Sequence, residues 1–400
     1  MHLLCILIQM KQMPPLFPAL LQVKSLTKPI GVYIHIPFCN KKCAYCDFYS
    51  VAVHKDTKDS YINSLKKEIY RWGAKLCRPA DTVYFGGGTP SVLSSNELCD
   101  LLLAVKDAFD VKDDAEITVE LNPENIDFEF LNGLKKGGFN RLSFGVQTFS
   151  DEILKVLGRR HSVQDSINAV SLARKAGFDN ISLDIMLGIP DQKEDDLVKT
   201  LEKTIEISPE HISAYMLILE EKTAFFAKKD SLNFPNEDEV SRQYEKTCEI
   251  LSKNGYNHYE ISNFSKKEKE SRHNVKYWNC DEFIGIGPSA YSFIDGKRFY
   301  YESNMHKFIK EPEVLYNDDG GDIYEYVMLS LRLKKGINED EIKVKYLKKF
   351  SDKFKIQAKQ LDENGVAVFK SNSLALTDKG MLVSNTLICD FLEEDMYENL

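Results

Sequence analysis

Residues 31–46 read GVYIHIPFCNKKCAYC. The opening eight are a short, almost continuous apolar run, the pattern of a buried strand, and they lead straight into a loop carrying Cys39, Cys43 and Cys46. Thiolates are soft ligands that suit zinc or an iron–sulfur cluster. A structural zinc site normally takes four protein ligands as two separated pairs, whereas this C-x3-C-x2-C run has no second pair after it. Three cysteines instead match three corners of a [4Fe–4S] cube and leave its fourth iron open, much as a catalytic zinc keeps an open position. The other cysteines, at 5, 77, 99, 248, 280 and 389, are scattered, and core packing accounts for them.

Outward from that loop the chain alternates strand and helix. DSYINSLKKEIYRWGAKL has apolar residues at helical spacing, TVYF is a second strand ended by GGGTPS, and a helix follows from Asn96 to Phe109. EITVELNP, NRLSFGVQ, NISLDIMLGIP and HISAYMLIL supply four more strands, each separated by an amphipathic stretch of helix size. Units running in one direction imply a parallel sheet covered by helices. No strand-to-helix junction carries G-x-G-x-x-G, so dinucleotide binding has no support. An open or partial (β/α) barrel is expected, with every motif at the carboxyl ends of the strands.

Gly86, Gly87 and Gly88 let the backbone turn tightly and approach a ligand. Glu120, Gln147 and Asp184 are polar residues expected at the ends of otherwise apolar strands, where each needs a partner or a ligand. After Phe264 the character changes to a charged loop, then HNVKYW at 273–278, then a helical tail from about Tyr324 that suggests a second, smaller domain. Residues 334–359 hold nine lysines against four acids, a pattern expected of a solvated helical face.

The 400 residues, 43% hydrophobic and 28% charged, describe an ordinary globular chain able to bury a large core. A net charge of −9 argues against a nucleic-acid partner. Clustered cysteines point to a reducing compartment, and the cytoplasm is the simplest location. The apolar run LLCILI near the start is too short to span a bilayer. Residues 1–28 have three prolines and neither acids nor arginine, and are read as a poorly ordered extension.

The cysteine triplet resembles the signature of the radical S-adenosylmethionine (SAM) superfamily, in which the open iron chelates the amino and carboxylate groups of SAM. YIHIPFCNKKCAYCDFYS, GGGTPS, LNPE, RLSFGVQTF, LGRRHS, HISAYMLILEE, HYEISNF and RHNVKYW are similar, in order, to motifs of the oxygen-independent coproporphyrinogen III oxidase (HemN/HemW) family. The likeness runs from about residue 30 to the C-terminus and is stronger to the HemW branch. It implies that Cys39, Cys43 and Cys46 hold the cluster and that Tyr33 and Tyr45 pack near SAM. It further implies that Gly87, Gly88 and Thr89 touch SAM, and that Glu120, Gln147, Arg159 and Asp184 fix its polar groups.

The fold implied is α/β: a partial (β/α)6 barrel over 29–264, a segment over 265–323 that completes it and carries the heme motif, and a smaller, mainly helical, winged-helix-like domain over 324–400. The true oxidase has a further cysteine where this chain has Phe48, and a longer N-terminal region. Both departures point to the branch regarded as heme-binding proteins that deliver heme to acceptors such as respiratory enzymes. The alternative is oxidative decarboxylation of coproporphyrinogen III. In HNVKYW, His273 could ligate heme iron while Tyr277 and Trp278 stack on the macrocycle. His35, His161, His211 and His258 are read as strand-end or loop residues. The basic segment could meet heme propionates, an acidic partner or a membrane surface, and a dimer is left open.

Overall fold

The computed structural model describes residues 28–400. The expected extension over residues 1–28 lies outside the described residues except for Lys28, whose ammonium pairs with Asp281. The first strand, β1 (Ile30–Ile36), is buried at six of its seven positions. It is followed in register by β2 (Pro79–Gly87), β3 (Asp110–Leu121), β4 (Arg141–Gln147), β5 (Ile181–Leu187) and β6 (His211–Met216), each parallel to the last. A seventh parallel strand, β7 (Phe283–Ile286), joins on the outer side of β1. Antiparallel strands extend the sheet at both ends without joining them, so the barrel is open, as expected.

Local chemistry starts and stops the covering helices. Ser94 caps the helix Ser95–Ala108 through a reciprocal bond with Glu97, and Ser162 does the same with Asp165 for Val163–Lys175. Gly138 and Gly158 end two others in the left-handed conformation. Their apolar faces pack with the sheet into one core cluster running from Ile30 to Phe308.

The C-terminal region has the expected helical character with a small wing. Helices Glu339–Tyr346 and Asp352–Glu363 lie with a hairpin of Ala367–Lys370 and Ser373–Leu376. A second apolar cluster runs from Ile185 and Leu187 of the barrel through Val327 to Tyr397, so the core is continuous across residue 324. Glu260 bridges to Leu333, and Asp378 accepts from Lys334 at 2.8 Å and lies 2.9 Å from His258 Nδ1. In the basic segment, Lys334, Lys343, Lys349, Lys353 and Lys355 are ion-paired, five of its nine lysines. No helix among the described residues is long and apolar enough to cross a membrane.

Candidate functional site

A cavity of about 1110 Å³ occupies the barrel interior. It collects every site residue named from the sequence except Gly86 and Trp278. At its mouth, β1 continues through the short strand Phe38–Cys39, which pairs with Val51–Ala52 and holds the base of the cysteine loop. Ala44 N–H donates to Leu157 O at 3.3 Å and the Ala44 carbonyl accepts from Phe225 N–H at 2.9 Å, tying that loop to two neighbouring elements.

The glycine run is a packing requirement before it is a ligand site. A Cβ on Gly88 would sit 2.7 Å from the Phe38 carbonyl oxygen, and one on Gly87, whose φ is +112°, would sit 2.4 Å from the His35 ring. Gly88 and Thr89 N–H instead donate to Ile36 O and Phe38 O, both at 2.8 Å. Thr89 Oγ1 reaches Cys39 Sγ at 3.4 Å, so this turn fixes the first cysteine.

The polar groups form a ring beneath. Glu120 accepts from Tyr84 O–H at 2.8 Å and from Gly87 N–H at 3.2 Å, and burial pushes its carboxyl up to about 7. Gln147 ends β4 with φ +70°, where a register shift in the β4–β5 pairing turns it over Gly145. Arg159 donates to Asn122 Oδ1 at 2.9 Å, to the Gly145 carbonyl, and to Cys43 Sγ at 3.5 Å. Burial opposes its charge, but Tyr45 and Cys43 hold the guanidinium protonated. Tyr45 packs on Phe225, with ring centroids 6.4 Å apart.

Asp184 departs from expectation. It is the middle residue of β5 rather than its end, because pairing with β6 continues to Leu187. Its carboxylate accepts from Ser143 O–H at 3.1 Å, and burial raises its pKa against the donors Ser213 and Ser143.

The HNVKYW helix, Arg272–Trp278, is the second departure, for it lies at the amino ends of the strands. Arg272 and His273 N–H both donate to Glu116 at 3.1 Å, and Lys276 pairs with Asp81 at 2.8 Å, which pins the helix to the barrel floor. His273 is 1% exposed, with Nδ1 2.8 Å from Thr82 Oγ1 and Nε2 2.8 Å from Tyr277 Oη. Tyr84 and Tyr33 stack on its ring at 5.2 and 6.4 Å. Burial lowers its pKa to about 3, so it is neutral. Trp278 is not in the cavity wall, and the Arg332 guanidinium lies 5.9 Å from its ring.

Several residues here escaped the sequence reading. Tyr84, Ser143 and Arg141 lie in apolar or unremarkable sequence, and only strand alternation in β2 and β4 pointed them inward, while Asn122 lies just past the end of β3.

A family profile described as "Radical SAM superfamily" matches residues 33–204, and one described as "HemN C-terminal domain" matches 322–383. A protein named heme chaperone HemW from Lactococcus lactis is 36% identical over 93% of this chain and 99% of its own length. HemW of Bacillus subtilis is 35% identical over 91% and 99%, respectively. The chain belongs to the HemW family. HemW of Mycobacterium tuberculosis is 31% identical over 94% of this chain and 98% of its own. The solved structure of coproporphyrinogen III oxidase (HemN) from Escherichia coli superposes with a TM-score of 0.79 at 23% identity, covering 94% of this chain and 93% of that one. That likeness establishes the radical SAM fold for this HemW-family chain.

Membership in a radical SAM family implies a [4Fe–4S] cluster and SAM, and the donor set fits both. Among the described residues, one set of three metal-capable side chains has its ligand atoms within 4.8 Å of one another, and it is Cys248, His258 and Asp378 rather than the cysteine triplet. Ligands of one tetrahedral zinc at ~2.3 Å stand about 3.8 Å apart, and the three sulfurs of the triplet do not all lie within 4.8 Å of one another. Burial, reinforced by Cys43 and Cys39, pushes the Cys46 thiol up to about 11, and iron bound at this loop would favour its thiolate.

Proposed function

We propose that this protein binds heme and delivers it to heme-accepting proteins, with a [4Fe–4S] cluster on Cys39, Cys43 and Cys46 and SAM beside it. The observation that carries this is identity of 31–36% over more than nine-tenths of the chain with relatives named heme chaperone. The cytoplasm is the proposed location and respiratory enzymes the proposed acceptors. The cluster, when bound, supplies electrons and an iron that takes the SAM amino and carboxylate groups.

Each protein group has a task in holding SAM. Gly87, Gly88 and Thr89 bring main-chain groups and a hydroxyl to its amino end, and Arg159 offers a guanidinium to its carboxylate. Glu120 accepts from the ribose hydroxyls, displacing Tyr84 or Gly87 as donor. Gln147 and Asp184 line the same wall, and Tyr33 and Tyr45 exclude water. His273, held between Thr82 and Tyr277, would have to release one of them to ligate iron.

The test is anaerobic. Cluster-loaded protein is titrated with hemin and then mixed with an apo heme protein. Stoichiometric uptake followed by transfer is the expected result. Protoporphyrinogen formed from coproporphyrinogen III over many SAM-dependent turnovers, without stoichiometric hemin uptake, would overturn the assignment in favour of the oxidase.

A further inference from the structure

We propose that heme is seated at the mouth of the barrel, its macrocycle against Phe48, Tyr215, Ile218 and Tyr291 and its propionates on Lys41 and Lys42, and not on His273 at the floor. This rests on the heme-binding function proposed above. Phe48 is 69% exposed, Ile218 71%, Tyr291 55% and Tyr215 41%. Single exposed apolar side chains are ordinary, but a convergent group marks a binding surface, and these four line one cavity. They arrive from separate elements: Phe48 follows the cysteine loop, Tyr215 and Ile218 end β6, and Tyr291 lies beside β7. Since β6 and β7 are the two ends of the parallel run, the group spans the opening. A cavity of about 1110 Å³ also exceeds the ~300–1,000 Å³ typical of one small ligand.

The charge is complementary to a planar ligand with two carboxylates. Lys41 and Lys42 line the same opening, neither is in an ion pair among the described residues, and Lys42 donates to the Phe48 carbonyl at 3.2 Å. The floor offers no such seat, because both nitrogens of His273 are bonded and Tyr33 and Tyr84 cover its ring. Stacking and ion pairing without an axial bond would leave the iron open to the acceptor's own ligand.

Isothermal titration of hemin into the cluster-loaded full chain tests this. Phe48→Ser with Ile218→Ser is expected to weaken binding at least ~10-fold, the loss typical of removed anchor residues. Lys41→Gln with Lys42→Gln should weaken hemin but leave the dimethyl ester of hemin unchanged. His273→Gln, which keeps hydrogen-bonding capacity, should stay within about threefold of the parent. Parent-like affinity in the rim variant together with loss in His273→Gln would overturn the proposal while leaving heme binding intact. A parent dimer that dissociates in the rim variant with unchanged hemin affinity would assign the rim to self-association and also overturn it. Failure of the parent to take up hemin would remove the heme function itself.

Discussion

Replacing Glu120 by glutamine separates the cost of a buried charge from its use. The carboxyl is raised from 4.5 to about 7, first by burial and then by Asp184, against the opposing donors Tyr84 and Gly87. A raised carboxyl binds its proton more tightly in the folded state, so its contribution to stability is complete below the unfolded value and is lost as pH rises through the folded one. Each pH unit between the two is worth ~1.4 kcal/mol, which amounts to ~3 kcal/mol over the whole interval. The amide can accept from Gly87 N–H and donate to Tyr84 Oη, so both contacts survive with one reversed. Glu120→Gln should therefore gain ~2 kcal/mol on the parent between about pH 5.5 and about pH 8. Urea midpoints of both proteins, without SAM, at the two pH values measure this. A variant-to-parent difference that does not change with pH would refute the reasoning. The same substitution should weaken SAM binding, since the anion that destabilises the fold is the group proposed to hold the ribose.

Gly88→Ala should cost ~1–3 kcal/mol, because its Cβ meets the Phe38 carbonyl, which cannot rotate away, and urea unfolding will show it. Gly86→Ala meets the movable end of Glu120 and should cost less in the same assay. Tyr277→Phe removes the partner of His273 Nε2 and leaves a buried ring nitrogen unpaired, a loss of ~1–3 kcal/mol visible as a lower melting temperature. Asp378→Asn should loosen the C-terminal region: the carboxylate is held well below its usual range by His258 and then Lys334, and that stabilisation is present above its unfolded pKa and fades as pH falls below it. The group is nearly half exposed, so the effect should be under ~1 kcal/mol, read as a parent-minus-variant difference in urea midpoint that shrinks in acid.

The parallel strands and the candidate cysteine loop were legible because each is encoded locally. Three thiols in one loop, a strand feeding it and a glycine turn are each encoded by neighbouring residues. Glu120 and Gln147 stood out as candidates, since a polar residue in an apolar strand has few reasons to be there, whereas Arg159, in the loop after a helix, was a candidate only through the family resemblance. Tertiary structure decided what depends on residues far apart in sequence. The HNVKYW helix has an aromatic and histidine content that suits a ligand site, yet Glu116 and Asp81, more than 150 residues upstream, dock it at the floor and spend its histidine on Thr82, 191 residues away. The same holds for the rim, where Phe48, Ile218 and Tyr291 become one surface only when β6 and β7 bracket the barrel. A sequence states which side chains are available; packing of distant segments determines which of them remain free to meet a ligand.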